Sequence, residues 1–99
     1  MSTLHVLSHS PFSDSRLSSC LRLLGSDDAL LLCGDAVYAV QADTAQRKAL
    51  ELMPEAISLY ALAEDVQARH LTPPERLTLV DYTGFVALTC QYDKVNTWL

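Results

Sequence analysis

Three local patterns follow one another at the start of the chain, and their order restricts the fold more than any other feature of the sequence. An apolar run at residues 4–7 predicts a strand, and a polar turn ends it. Apolar residues then recur at the spacing of one helical face from Leu17 to Leu24, with Cys20 among them, and Gly25 ends the helix. A strand that leads through a turn into a helix indicates an α/β domain whose first strand lies inside the sheet.

Strand and helix signals continue to alternate through the rest of the chain. The apolar run at residues 29–32 is typical of a parallel strand covered by helices on both faces. Further strands are predicted at residues 57–62 and 77–80, and further helices at residues 44–53 and 64–71 and after the turn at 81–84. Residues 36–40 fit the return arm of a hairpin or a short helical turn equally well. The alternation predicts a single domain over residues 1–99, built as a three-layer α/β/α sandwich around a small, mainly parallel sheet.

The composition indicates a surplus of apolar surface. Apolar residues make up 49% of the chain and charged residues 19%, against about 25% charged residues in ordinary domains. A small domain has more surface for its size to cover with polar groups, not less. We therefore expect apolar surface to remain for a partner, which favours an obligate oligomer, although a tightly packed monomer also fits the composition.

The charge balance and the cysteines limit the kinds of partner and compartment. With 7 basic and 12 acidic residues the net charge is −5, which repels phosphate backbones, so direct nucleic-acid binding is not expected. The apolar runs are too short for a membrane span, and we expect neither a span nor a signal peptide. The 3 cysteines have no CxxC spacing and fit free thiols in a reducing compartment, so we expect a cytoplasmic protein.

Two cysteines are candidates for chemistry. Cys20 lies on the apolar stripe of the first helix, one turn after Arg16, where a small core residue is the commoner interpretation. Cys33 follows the second strand at the carboxyl edge of the sheet, where His9 leaves the first strand, so a Cys33–His9 pair is the alternative nucleophile. His5 is expected on the less apolar face of the sheet. The histidines lack zinc spacing and the glycines form no nucleotide-binding motif, so we expect neither a metal nor a cofactor.

The chain ends in Trp98 and Leu99, which are the last of the candidate functional residues. An indole is costly to leave in water, so Trp98 is expected to fold back on the domain or to dock on another subunit. Tyr82, Phe85 and Tyr92 of the last predicted helix are expected to extend the same patch. These five residues form the predicted partner interface.

Five segments, in order, carry a resemblance to a known family. They are LHVLSHSPF at residues 4–12, LLCGDAVYA at 31–39, YALAEDVQAR at 60–69, VDYTGFV at 80–86 and KVNTWL at 94–99. Together they extend over nearly the whole chain and resemble the TusB/DsrH family of sulfur-relay proteins. The resemblance implies a DsrE/DsrF/DsrH-like fold, in which a short helix follows the second strand.

The resemblance also implies a function within an assembly. Members of the family combine with TusC-like and TusD-like subunits into a heterohexamer, which accepts persulfide sulfur from a TusA-like carrier and passes it to a TusE-like carrier. The sulfur ends in the 2-thiouridine at the wobble position of certain tRNAs. The sulfur-carrying cysteine of that assembly belongs to the TusD-type subunit, so the resemblance implies a non-catalytic accessory subunit without a cofactor.

Three functions stay open at this point. The leading hypothesis is the accessory subunit of a TusBCD-type complex. The second is a DsrH-type sulfur carrier for dissimilatory sulfur oxidation, in which Cys20 takes the persulfide, because DsrH-type members carry a cysteine at this position of the first helix. The third belongs to another class: a free-standing α/β module that binds a small ligand near His9 and Cys33.

Overall fold

The computed structural model describes residues 2–98. This part of the chain contains five strands, four α-helices and one 3-10 helix. The strands are β1 (Thr3–Leu7), β2 (Ala29–Leu32), β3 (Ser58–Leu62), β4 (Thr78–Val80) and β5 (Lys94–Trp98). The helices are α1 (Arg16–Leu23), α2 (Ala45–Glu51), α3 (Ala63–Ala68) and α4 (Tyr82–Gln91), and the 3-10 helix Gly34–Val40 lies between β2 and α2. Within residues 2–98 the helices are all too short or too polar to cross a membrane.

The five strands of the described chain form one parallel sheet in the order β4-β3-β2-β1-β5. From β1 to β4 each new strand is added beside the previous one in the same direction. The chain then returns through α4, and β5 pairs with the other side of β1. His5 in β1 consequently has a neighbour on each side, Leu30 of β2 and Asn96 of β5. The predicted parallel α/β fold, with its first strand inside the sheet, is confirmed.

Side chains alternate between the two faces of the sheet, and a separate core forms on each face. The larger core lies between the sheet and the layer formed by α1, the 3-10 helix, α2 and α3. It consists of Leu7, Leu17, Cys20, Leu30, Leu32, Ala36, Val37, Ala39, Val40, Leu50, Ile57, Leu59, Ala61, Val66 and Leu77. The smaller core lies between the sheet and α4, and consists of Leu4, Val6, Ala29, Leu31 and Leu88. The three predicted layers are therefore a layer of several helices, the sheet, and a layer that consists of α4 alone.

Side-chain caps define where two of the helices begin. The Thr44 hydroxyl oxygen accepts a hydrogen bond from the Arg47 amide at 3.2 Å at the start of α2. The Asp81 carboxylate accepts one from the Gly84 amide at 2.7 Å at the start of α4. Each cap satisfies an amide for which the helix itself has no acceptor. The polar residue before each apolar stretch therefore determines the first turn locally.

Several predicted segments differ in their bounds from the structure, and an ambiguous one is settled. Residues 34–40 form the 3-10 helix, which confirms the short helix implied by the family resemblance and rules out the hairpin arm. The helix predicted at residues 64–71 ends at Ala68, because His70 has a φ of 54°, in the left-handed region where a right-handed helix does not continue. The strand predicted at 77–80 begins at Thr78.

β5 is an element that the strand signals do not predict. Its residues are almost all exposed, so burial leaves little mark on their sequence. The strand is held instead by pairing with β1 along its whole length, from Lys94 opposite Thr3 onwards. At its start the Asp93 carboxylate accepts a hydrogen bond from the Ser2 amide at 3.0 Å. The strand therefore depends on a free edge of β1, which only the assembled sheet provides.

Candidate functional site

Cys20, the candidate sulfur carrier, is held by α1 inside the larger core. Its side chain is 0% exposed and belongs to the same core cluster as Leu17 and the inward residues of the sheet. Burial first, and the negative charge of Asp28 second, raise the pKa of the Cys20 thiol to about 12. A thiol that is enclosed and stays protonated at neutral pH is a poor nucleophile. In this arrangement burial and the raised pKa both disfavour Cys20 as a sulfur nucleophile.

Cys33 lies at the carboxyl end of β2 and is half-buried against β1. Its amide donates a hydrogen bond to the Leu7 carbonyl at 3.0 Å, and its thiol donates to the same oxygen at 3.5 Å. Burial, and then the negative charge of Asp65, raise the pKa of the Cys33 thiol. Asp65 is itself fixed in place, because its carboxylate accepts a hydrogen bond from the Gly34 amide at 2.7 Å. This edge therefore disfavours a thiolate at Cys33.

Arg69, which follows α3 at the same edge, already uses its guanidinium in structural contacts. Nη2 donates a hydrogen bond to the Asp35 carboxylate at 2.9 Å, and Nη1 donates to the Asp65 carbonyl at 3.1 Å. The guanidinium carbon also lies 5.5 Å from the centroid of the Tyr38 ring, a cation–π distance. Arg69 therefore clamps the 3-10 helix to α3, and its charge is balanced by carboxylates rather than directed at Cys33.

His9 is exposed in the turn after β1, and among residues 2–98 it forms no hydrogen bond with Cys33. The Cys33–His9 pair expected from the sequence is therefore not formed, because the thiol is directed at the Leu7 carbonyl instead. Two of the surface depressions lie beside α1 and α2, and neither of these two is lined by His9 or Cys33.

The predicted partner interface does not form one patch. Trp98 packs against the larger core, whereas Phe85 and Tyr92 pack against the smaller core on the opposite face of the sheet. Tyr82 is exposed on α4, and Leu99 lies outside the described residues. The expectation that the α4 aromatic residues extend the patch around Trp98 is wrong, because alternation along β5 turns Trp98 to the side of the sheet away from α4.

Trp98 folds back onto the domain, which confirms one of its two expected positions. Its indole N–H donates a hydrogen bond to Nδ1 of His5 at 3.1 Å, and His5 is buried on the face of the larger core. The expectation that His5 lies on the less apolar face is wrong. β1 alternates so that Leu4 and Val6 enter the smaller core, which leaves His5 on the opposite side with the larger one.

α4 carries an outward stripe that the candidate interface residues include only in part. Tyr82, Val86 and Cys90 recur at four-residue spacing, and Tyr82 is 60% and Val86 52% exposed. Val95 of β5 lies on the same side of the sheet and is 43% exposed. These four residues are the α4 face. The sequence signal for it is the absence of any charged residue at positions 82–92, which is unusual for a helix at a protein surface.

The chain is similar over nearly its whole length to proteins from several bacteria. A family model described as "DsrH like protein" matches residues 9–95. "Protein TusB" of Erwinia tasmaniensis is 40% identical over 97 residues, and that of Serratia proteamaculans is 41% identical over 98 residues; each match covers 96% of this chain and 99% of the relative. The crystal structure of the ychN protein from E. coli has the same fold, with a TM-score of 0.81 at 20% identity over 99% of this chain and 100% of that one. The chain therefore belongs to the TusB/DsrH family, and the resemblance carried by its five segments is confirmed.

Proposed function

We propose that this chain is an accessory subunit of a TusBCD-type sulfur-transfer complex, which relays persulfide sulfur for 2-thiolation of the tRNA wobble uridine. The observation that carries this proposal is the similarity to proteins named TusB over 99% of their length. The partners are TusC-like and TusD-like subunits in a heterohexamer. TusA-like and TusE-like carriers deliver and remove the sulfur, and the complex works in the cytoplasm.

The state of the Cys20 and Cys33 thiols supports an accessory role rather than a carrier role. Sulfur transfer begins when an acceptor thiolate attacks the outer sulfur of a donor persulfide; a new S–S bond forms, the donor thiolate leaves, and no net oxidation occurs. The pKa is raised at both Cys20 and Cys33, so neither residue supplies that thiolate readily. In the proposed complex another subunit carries the sulfur, and this chain shapes the surroundings in which the sulfur moves.

The α4 face supports the proposed contact with homologous subunits. The ring of Tyr82 packs edge-on against Phe85, with centroids 6.0 Å apart and planes at 77°, so the exposed aromatic side chain is held in a defined position. An uncharged apolar surface loses little solvation when it is covered, and covering it contributes about 25 cal/mol for each Å². Trp98 does not belong to the α4 face, because it lies on the other face of the sheet.

A charge placed on the α4 face tests the proposed assembly. Val86→Lys puts an ammonium group in the middle of this face, and we expect it to abolish co-purification with TusC-like and TusD-like subunits, because the charge would be desolvated without a partner. Leu23→Lys is the matched control, since Leu23 is also exposed but belongs to α1 in the other helix layer. A complex that survives Val86→Lys, or one that is lost equally in both variants, would contradict this interface.

The sulfur itself tests the accessory role. The reconstituted complex is incubated with a persulfide-loaded TusA-like donor, and the intact mass of each subunit is measured. We expect the TusD-like subunit to gain sulfur and this chain to gain none. Sulfur found on this chain and abolished by Cys20→Ser would instead establish the carrier role of Cys20, which is the alternative function proposed for the DsrH-type branch in dissimilatory sulfur oxidation.

A further inference from the structure

His5 is the buried polar residue of the described chain, and the proposed function makes no use of it. The residue is 6% exposed and lies in β1, on the face of the larger core. Two groups lie against the imidazole from different elements: the Trp98 indole at the end of β5 and the Asp28 carboxylate just before β2. A buried imidazole whose Nδ1 accepts a hydrogen bond has a defined proton position, and that position determines what its neighbours can do.

The contact with Trp98 determines the tautomer of His5. The indole N–H is a donor only, and it lies 3.1 Å from Nδ1, so Nδ1 must offer its lone pair. The neutral imidazole then carries its proton on Nε2, which lies 3.9 Å from the Asp28 carboxylate. The two rings are 6.1 Å apart and tilted by 46°, so the hydrogen bond is the specific contact between them rather than stacking. The hydrogen bond between Trp98 and His5 therefore exists only while His5 is neutral.

The Asp28 carboxylate is held rigidly beside the imidazole. One of its oxygens accepts a hydrogen bond from the Thr3 amide at 3.0 Å, and the other accepts one from the Gly25 amide at 2.9 Å. The Asp28 charge also acts on Cys20 of α1, but the Cys20 thiol keeps its proton at neutral pH because its pKa is raised. On β5, Lys94 lies on the same side of the strand as Asn96, the neighbour of His5, and it is exposed. Asp28 is thus the charge that most directly favours an imidazolium here.

Protonation of His5 at Nδ1 would set two N–H donors against each other and remove the hydrogen bond to Trp98. β5 is an edge strand that pairs with β1 alone, and Trp98 is the last residue of its register. Its end can therefore separate without disturbing any other strand. We propose that the His5–Trp98 contact is a proton-sensitive latch, which holds the end of β5 on β1 when the imidazole is neutral and releases the C-terminal indole when it is protonated.

The latch is closed at neutral pH and opens on acidification. Burial lowers the pKa of His5 from 6.5, and the Asp28 charge opposes part of that effect. Below the midpoint of the transition the closed fraction falls about tenfold for each pH unit, because a single proton controls the contact. When the latch opens, the Trp98 indole and the end of β5 become exposed on the side of the sheet away from the α4 face. This device is independent of whether the proposed sulfur-transfer complex forms.

Trp98 is the single tryptophan of the chain, so its fluorescence reports the latch directly. The full chain is titrated from about pH 8 to about pH 5, a range in which an unperturbed histidine changes charge. Emission wavelength and acrylamide quenching are measured, because both report solvent access rather than quenching by the imidazolium itself. We expect a red shift and stronger quenching with a midpoint below 6.5, while the far-ultraviolet circular dichroism stays unchanged.

Two variants separate the latch from a structural effect. His5→Gln keeps an acceptor for the indole but cannot titrate, so its fluorescence should not change over the same range. Asp28→Asn removes the charge that favours the imidazolium, and the midpoint should fall by about one pH unit. His9→Gln and His70→Gln are controls at exposed histidines, and their fluorescence should change with pH in the same way as that of the unmodified chain.

Direct observation of the proton provides a check that needs no variant. Nitrogen-15 labelling of the imidazole distinguishes the tautomers, and neutral His5 should carry its proton on Nε2. A neutral His5 protonated on Nδ1, a flat fluorescence titration of the unmodified chain, or a titration of His5→Gln identical to it would each overturn the proposal.

Discussion

The two faces of the sheet are covered to very different degrees. On one face, three α-helices and a 3-10 helix close the larger core, and Cys20 within it is fully enclosed. On the other face α4 alone closes the smaller core, and its outer side leaves Val86 and Cys90 exposed. Most of the buried apolar side chains belong to the larger core, whereas exposed apolar side chains occur in both helix layers, at Leu23 of α1 and at Val86 of α4. The α4 side differs in that its helix carries no charged residue at positions 82–92.

Thiol reactivity should show the largest difference between the two faces. We expect Cys90 to react with a maleimide at the rate of an exposed thiol, and Cys20 to react at least about a thousandfold more slowly, because a fully buried group is reached only by opening of the structure. The rates are measured by peptide mapping after timed labelling in native buffer. Cys33, which is half-buried, should fall between them.

The matched variant for this measurement is Cys90→Ser, which should remove the fast phase and leave the slow phase unchanged. Fast labelling of Cys20 in the native chain would mean that α1 opens readily, and the contrast between the two faces would then not hold.

Adjacent residues of β2 allow the two cores to be compared within one strand. Leu32 belongs to the larger core and Leu31 to the smaller one, and both are fully buried. We expect Leu32→Ala to lower the free energy of unfolding by about 4 kcal/mol and Leu31→Ala by about 3 kcal/mol, because a single covering helix can move into a cavity more easily than a closed helix layer. Urea unfolding measures both values. An equal or larger loss for Leu31→Ala would show that α4 is held as rigidly as the other layer.

The pH dependence of stability is a smaller effect that belongs to the larger face. The pKa of His5 is lowered in the folded chain by burial, so below 6.5 the unfolded chain binds a proton more readily than the folded one. Its contribution to stability is complete above the unfolded pKa and is lost as the pH falls toward the folded pKa, at no more than about 1.4 kcal/mol for each pH unit. Urea unfolding at a series of pH values measures this slope, and His5→Gln should reduce it.

The smallest effect is expected on the α4 face of the isolated chain. Val86→Lys should change the free energy of unfolding by no more than about 0.5 kcal/mol, because the side chain is half exposed and lysine is a good helix former. The same variant is expected to abolish the complex. A large loss of stability in the isolated chain would mean that Val86 supports the fold, and its effect on assembly would then need another explanation.

Much of the fold follows from local patterns. The run at residues 29–32 reads as a parallel strand because all four of its residues are buried, and the Asp81 cap marks the start of α4 because a carboxylate can accept the first free amide of a helix. Local patterns do not predict β5, because its residues are almost all exposed and its sequence therefore shows no apolar strand pattern. Local patterns also do not predict that α3 ends at Ala68. A histidine can adopt the left-handed conformation of His70, but its presence in the sequence does not require that conformation.

The candidate site was less predictable than the fold. Cys20 was recognisable as a core residue from its place on the apolar stripe, but its high pKa also depends on Asp28, which the fold brings close. The aromatic residues near the C-terminus looked like one patch because they are near one another in sequence. They lie on opposite faces because an edge strand, which alternates its side chains, separates Trp98 from α4.

The residues alone predict the order of strands and helices, the parallel sheet and membership of the TusB/DsrH family, because periodicity, capping and family segments are local properties. They do not predict whether each reactive or apolar side chain is buried or exposed. Whether a cysteine is enclosed, a histidine meets an indole, or a helix keeps an open side depends on which elements pack against it, and those neighbours come from distant parts of the chain.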